Sequence, residues 1–266
     1  MPGAYGCRVR GRGVRLRRPF YSLYQRRLRH NLASSALPQH IAMIIDGNRR
    51  WAKLAGLESA EHGHRAGADK FLEFAGWVDS LHIPHVTFYL LSTDNLRGRE
   101  SEELEALFEI IGTLALDLST RWRVKHVGTT EGLPEPLLEA LRTAEARGAG
   151  KPGVHINLAV GYGGRSEITH AMRSIVAEHA AAGGTLDTLS ERLDPEAIAA
   201  HLYTTGQPDP DLVIRTSGEQ RLSDFMVWQS AHSEFYFVEA LGPDLREVDF
   251  LRALRSYAQR QRRYGV

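Results

Sequence analysis

A single α/β domain with a central, mostly parallel sheet flanked by helices is the fold class this sequence predicts, on three observations. Short apolar runs of strand length alternate with longer stretches of helical periodicity along most of the chain. The first two runs, His40 to Ile45 and Val86 to Leu91, bracket helical spacing from about His64 to Leu81, which makes a βαβ unit. A chain of 266 residues, 42% hydrophobic and 24% charged, can fill one large core.

From the amino terminus, residues 1 to 18 mix Arg8, Arg10, Arg12, Arg15, Arg17 and Arg18 with glycines. They read as a disordered basic tail, or as a start codon placed too early. Residues 19 to 37 read as an N-terminal amphipathic helix, in which Phe20, Tyr21, Tyr24, Leu28 and Leu32 interleave with Arg26, Arg27 and Arg29. That pattern suits packing on the body of the protein or peripheral contact with a membrane. The body runs from 38 to 266. Within Glu100 to Leu118, Leu104, Leu107, Phe108, Ile111 and Leu114 fall at helical spacing. Val124 to Gly128, Val154 to Val160 and Leu212 to Arg215 have strand length, with helices near Pro134 to Arg147 and Gly164 to Ala181 between them. Phe225 to Trp228 and Phe235 to Val238 are further strand-like runs, and a basic helix spans about Asp249 to Arg263. There is no internal repeat.

Composition narrows the function. Lysine and arginine number 33 against 32 acidic residues, so no overall basic field points to nucleic acid as a partner. The single cysteine, Cys7, lies in the leader, which leaves the body without a disulfide, a zinc-thiolate cluster or a cysteine nucleophile. A reducing cytoplasm fits. No apolar run approaches the roughly 18 to 20 residues needed to cross a bilayer, and the first residues lack a signal-peptide apolar core. The expected location is cytoplasmic, with peripheral membrane contact open through the amphipathic helix.

Two charged clusters carry the chemistry. The first apolar strand ends in Asp46-Gly47-Asn48-Arg49-Arg50-Trp51, which sets a carboxylate, a flexible turn and two guanidiniums at the carboxyl edge of the sheet. Gly47 lets backbone amides approach an anion, and Asp46 can hold a hard cation that bridges phosphate oxygens. Alone, Asp-Gly-Asn-Arg is equally an ordinary turn with an Asx cap. After Leu212 to Ile214 comes Arg215-Thr216-Ser217-Gly218-Glu219-Gln220-Arg221-Leu222-Ser223. Arginine forks match phosphate oxygens and hydroxyls complete the hydrogen bonding around a diphosphate, although a solvated polar loop has the same composition. Glu234 lies between two strand-like runs and is a candidate second oxygen ligand for Mg²⁺.

Four blocks together, Asp46 to Ala52, Ser92-Thr93-Asp94-Asn95, Gly161-Tyr162-Gly163-Gly164-Arg165 and Asp211 to Glu219, resemble the cis-prenyltransferase family, which includes undecaprenyl diphosphate synthase. The likeness runs from about residue 38 to the C-terminus, where Arg263-Tyr264-Gly265 is similar to that family's closing signature. The resemblance implies a catalytic domain at 38 to 266, a homodimer, an apolar tunnel beneath the active site, and Mg²⁺ near Asp46. By the same resemblance Arg215, Arg221 and Ser223 hold the diphosphate of isopentenyl diphosphate, and Glu234 helps bind Mg²⁺, reaching toward a neighbouring subunit's site. Gly47, Asn48, Arg49 and Arg50 cradle the allylic diphosphate, and Trp51 belongs with them to the substrate-binding set. Ser92 and Asn95 sit near the reacting carbons, and His64 belongs to the substrate-binding set.

Departures from the family pattern bear on the substrate. The stretch Leu57 to His64 lacks an arginine that long-chain members carry before their Gly-His pair. Leu96 replaces an aromatic residue, and Arg97 and Arg99 follow it as candidate phosphate contacts. Leu90 stands where long-chain relatives resemble one another in having a small residue facing the tunnel. Each buried five-carbon unit is worth about 3 to 4 kcal/mol, so a growing chain stops only against something solid. Forcing carbons past a packed leucine costs roughly 1 to 3 kcal/mol, which predicts a short product, such as a farnesyl diphosphate with one cis bond made from geranyl diphosphate. A long-chain synthase or a noncatalytic partner subunit is the alternative. Gly161, Gly163 and Gly164 fail the spacing of a dinucleotide fingerprint, and no DDxxD motif of a trans-type synthase occurs.

Overall fold

Parallel strands covered by helices on both faces must be apolar along their length, and all but one of the runs of strand length here join one sheet. In the computed structural model, which describes residues 17–33 and 35–260 with side chains from Leu23 onward, six strands appear. They are β1 (His40–Ile44), β2 (His85–Ser92), β3 (Arg123–Val127), β4 (His155–Tyr162), β5 (Leu212–Arg215) and β6 (Glu234–Phe237). The order is β3-β4-β2-β1-β5-β6, with every pairing parallel. The expected α/β fold is therefore present, and the sheet is parallel throughout the described residues.

Strand β1 is buried at every position and lies between β2 and β5. The chain leaves β1 toward one side and returns on the other. Such a reversal opens a crevice at the carboxyl ends of the strands concerned, which is where open α/β sheets bind ligands. Helices α2 (Asn48–Leu54) and α3 (Ala60–Ser80) follow β1, and α4 (Thr93–Gly98) and α5 (Ser101–Ser119) follow β2. Helix α3 packs on the sheet through Phe71 and Phe74, whose rings lie 4.8 and 6.0 Å from that of Phe88. The apolar stripe of α5 buries Leu107, Ile110, Ile111 and Leu114. Helices α6 (Glu135–Gly148), α7 (Gly164–Ala181), α8 (Leu186–Arg192) and α9 (Pro195–Ala200) complete this part of the chain.

One expected strand is absent. Phe225 to Trp228 forms bends and turns ahead of a 3₁₀ turn at Gln229–His232. Ser223, Asp224 and Met226 adopt left-handed backbone angles, φ +50°, +64° and +47°, which no extended strand accommodates. Phe225 and Met226 are apolar because they plug the core from a loop.

The described residues divide into two compact units, Pro38–Arg246, which holds the whole sheet, and a second made of residues 17–37 and 247–260. In the second unit α1 (Arg17–Leu32) packs on α10 (Glu247–Gln259). Arg29 donates from Nε to Glu247 at 2.8 Å, Gln25 donates to the same carboxylate at 3.2 Å, and the Arg252 guanidinium lies 5.5 Å from the centre of the Tyr24 ring. The units thus group α10 with the amino-terminal helix, where the sequence reading placed it in a body of 38 to 266. The residues before Arg17, with Cys7, and the closing Arg263-Tyr264-Gly265 lie outside the described residues. No helix among the described residues is long and apolar enough to cross a membrane.

Candidate active site

Strands β1 and β5 end side by side, with Ile44 in register with Arg215, and this brings the two charged clusters together. Arg215 is buried, its side chain 4% exposed, and it spends its fork on three acceptors. Its Nη2 donates to Asp46 Oδ2 at 2.7 Å, and its Nη1 donates to Ser223 Oγ at 2.8 Å and to the Arg221 carbonyl. A buried guanidinium is tolerated only with such compensation. Asp46 also accepts from the Gly47 amide at 2.6 Å, and its own amide donates to Thr216 Oγ1 at 2.7 Å. Burial acts to raise the Asp46 pKa, but the Arg215 guanidinium and the Gly47 amide outweigh it, so the carboxyl is held below its usual range.

The turn at Gly47 needs glycine. Its φ is +94°, and a Cβ there would stand 2.8 Å from Leu241 Cδ2. The side chain of Asn48, which begins α2, is wedged where a Cβ on Gly67 would meet its amide at 2.6 Å, so Asn48 shapes the turn from beneath.

Helix α5 supplies the facing wall. Glu103, in its first turn, accepts from Arg99 and from His64 Nε2 at 2.9 Å, and lies 3.8 Å from Arg49. Burial pulls the His64 pKa down against the opposing Glu103 bond, which favours neutral imidazole. Ser92 caps α4 by accepting the Asn95 amide at 2.9 Å. Nearer solvent, Glu219 lies between Arg50, at 3.2 Å, and Arg221, while Arg165 pairs with Asp224 at 3.1 Å. Buried donors normally find acceptors, yet the Nε groups of Arg215 and Arg99 have none. Both belong to residues on the cleft wall.

Between these walls lies a cleft of about 650 Å³. Its mouth carries Asp46, Gly47, Asn48, Arg49, Arg50, His64, Ser92, Asn95, Arg99, Arg215, Arg221 and Ser223, and its apolar part is walled by Ile44, Phe71, Leu90, Leu107, Ile110, Ile111 and Leu114. Leu90 reaches it through a β-bulge: Tyr89 pairs with Ala159 and Leu91 with Val160, which leaves Leu90 as the extra residue. Six guanidiniums against three aspartates, together with apolar side chains, suit a ligand with an anionic head and a hydrocarbon tail.

Residues 44–265 match the family model of prenyltransferases described as undecaprenyl diphosphate synthase. The chain belongs to this family. A (2Z,6E)-farnesyl diphosphate synthase of Thermobifida fusca is 55% identical over 94% of this chain and 98% of its own. A short-chain Z-isoprenyl diphosphate synthase of Mycobacterium leprae is 50% identical over 94% of this chain and 97% of its own. The crystal structure of lavandulyl diphosphate synthase from Lavandula x intermedia in complex with dimethylallyl diphosphate superposes with a TM-score of 0.80 at 36% identity, covering 86% of this chain and 99% of that one. The resemblance drawn from the four motifs is borne out, and the protein is a prenyl transferase.

Against that family membership, three of the expected site residues fall outside the cleft wall. Trp51 donates from Nε1 to Asp244 at 3.0 Å, and Arg97 is exposed on α4. Glu234 is in register with Leu212, at the amino edge of the sheet, about 10 Å of strand away from the Arg215 end. It does not meet Asp46 within its own chain. Sequence reasoning overlooked Glu103, Asp224 and Tyr89. Glu103 had a signal, since it follows Arg99 by four residues at the start of a helix. Asp224 and Tyr89 had none, because a left-handed loop and a bulge bring them to the site.

Proposed function

We propose that the protein condenses isopentenyl diphosphate with geranyl diphosphate to give (2Z,6E)-farnesyl diphosphate. The observation that carries this is Leu90 in the apolar wall of a cleft of about 650 Å³. A leucine in that wall obstructs a growing chain, since forcing carbons past it costs roughly 1 to 3 kcal/mol. The names of the T. fusca and M. leprae relatives favour the same reading.

In this reading Arg215, Arg221 and Ser223 take the diphosphate of isopentenyl diphosphate, and the Gly47 turn with Arg49 and Arg50 takes the allylic diphosphate. Arg99 and His64 complete the allylic side. Two heads held at one rim bring the double bond against the allylic carbon, which removes much of the entropic barrier. The Ser92 hydroxyl accepts from the Asn95 amide and keeps its own proton to donate to the departing diphosphate. Fixed guanidiniums in a half-enclosed cleft stabilise the negative charge that develops on that group. Asp46, ionised and at the mouth, fits Mg²⁺, which ordinarily takes one or two carboxylates together with substrate phosphates. Bound there, Mg²⁺ would supply charge neutralisation for the leaving group.

The enzyme is proposed to work as a homodimer in the cytoplasm. Edge strand β6 is only half buried, and Met172 and Val176 on α7 are exposed, which is apolar surface that a second copy would cover. Glu234 would then serve Mg²⁺ only at the neighbouring copy's site. Exposed Leu23, Arg26 and Arg27 on α1 suit peripheral contact with an anionic membrane.

Purified protein incubated with Mg²⁺, labelled isopentenyl diphosphate and, in turn, dimethylallyl, geranyl and farnesyl diphosphate tests the reading. Geranyl diphosphate is expected to give a fifteen-carbon product with one new cis bond. A product of fifty carbons or more would overturn it.

A further inference from the structure

The segment that carries Ser223 is held in a conformation its own residues resist. Ser223, Asp224 and Met226 all have positive φ, a region that side-chain-bearing residues seldom occupy and that persists only where the surroundings enforce it. Besides the Arg165–Asp224 pair, three restraints act on it from outside. The Gly164 amide donates to the Asp224 carbonyl at 2.7 Å, in a contact so close that a Cβ on Gly164 would stand 3.0 Å from that oxygen. Arg215 donates to Ser223 Oγ at 2.8 Å. The third restraint is Tyr89.

Tyr89 is the residue of β2 immediately before the bulge, and it lies on the cleft wall. Its hydroxyl donates to the Ser223 carbonyl at 3.1 Å. Its ring stacks on Phe225, with centroids 4.4 Å apart and planes 14° from parallel. One side chain therefore grips the loop twice, by a hydrogen bond before Asp224 and by a stacked ring after it. Burial raises the pKa of this phenol, so the hydroxyl keeps the proton it donates.

We infer that Tyr89 is a positioning residue for isopentenyl diphosphate: it holds the strained Ser223 loop so that Ser223 and Arg221 meet the diphosphate together. This rests on the proposed assignment of Arg215, Arg221 and Ser223 to that substrate. Arg215 is fixed by its own buried bonds to Asp46 and the Arg221 carbonyl, whereas Ser223 and Arg221 flank a turn that depends on contacts with neighbours. Release of Tyr89 should thus weaken the isopentenyl subsite and leave the Gly47 turn untouched.

The test is steady-state kinetics of Tyr89→Phe in the full chain, with each substrate varied at saturating concentration of the other. Phenylalanine keeps the stacked ring and loses only the hydroxyl, so the fold is retained. The expected result is a KM for isopentenyl diphosphate raised about ten-fold, with a smaller change in kcat and an unchanged KM for the allylic substrate. An unchanged isopentenyl KM would overturn the inference, and so would an equal rise in both KM values, which a merely structural role would give. The underlying assignment fails separately, if Arg221→Ala leaves the isopentenyl KM where it was.

Discussion

Asp46 does two things at once, and they make opposite demands on its carboxylate. It neutralises Arg215, whose side chain is only 4% exposed, and it keeps a partly exposed face toward the cleft. Removing the side chain altogether would leave Arg215 short of its counter-charge, a loss worth roughly 3 to 5 kcal/mol where a buried pair is broken. The informative substitution is therefore Asp46→Asn, which keeps shape and hydrogen bonding but not charge. We expect kcat to fall by about 10² to 10³-fold, the size seen when one preorganised electrostatic contact to a transition state is lost. Circular dichroism should be unchanged, and turnover near that of the wild type would remove Asp46 from the mechanism. Leu90 is the counterpart in the apolar part of the cleft. A bulge gives it no partner on β4, and the same distortion that frees it from the ladder sets it in the wall.

The elements explain why the site lies where it does. Strands β1, β2 and β5 all end at one edge of the sheet, so their last residues, before Asp46 and at Ser92 and Arg215, converge without any long connection. Their first residues converge at the opposite edge. There His40 is in register with His85, and His85 with His155. His40 is fully buried, with its ring nitrogens engaged by the Pro208 carbonyl at 2.6 Å and Thr87 Oγ1 at 2.7 Å. Burial pushes its pKa down to about 4, the Pro208 bond and Asp211 resisting and the neighbouring His85 and His155 assisting. Between that value and the ordinary 6.5, the unfolded chain binds a proton that the folded chain refuses. Stability is then full above about pH 6.5 and is lost as the pH falls toward 4, by up to about 1.4 kcal/mol per unit for this one group. Denaturant unfolding between pH 7 and 4 should show the decline, and His40→Gln should lessen its slope, with His155, whose pKa burial also pushes down to about 4, supplying the remainder. A decline of equal slope in that variant would count against the histidine.

Strand positions were legible in the sequence because a parallel sheet buried on both faces writes itself as uninterrupted apolar runs, as in His40 to Ile44 and Leu212 to Arg215. Phe225 and Met226 imitate that signal from a loop, and the left-handed angles at Ser223, Asp224 and Met226 tell them apart. The same limit applies at the site. Asp46 and Arg215 stand out by residue type at a strand end, whereas Trp51 and Arg97 have suitable chemistry but sit where the turn of a short helix carries them away from the cleft.

At the scale of the whole molecule, a near-balance of 33 basic and 32 acidic residues conceals a local excess, since Arg49, Arg50, Arg99, Arg165, Arg215 and Arg221 all line one cleft. Acidic partners moderate them: Glu103, Glu219 and Asp224 each hold at least one of these arginines in place. Below that rim, in the proposed reading, the apolar wall with Leu90 limits the product. Burial favours every added isoprene unit by about 3 to 4 kcal/mol, so chain growth ends where the cleft wall ends it. Product length from Leu90→Ala, measured beside the wild type with geranyl diphosphate as primer, tests this most directly. The account predicts a fifteen-carbon product from the wild type and chains longer by several isoprene units from the variant. An unaltered fifteen-carbon product from a folded, active Leu90→Ala enzyme would contradict it.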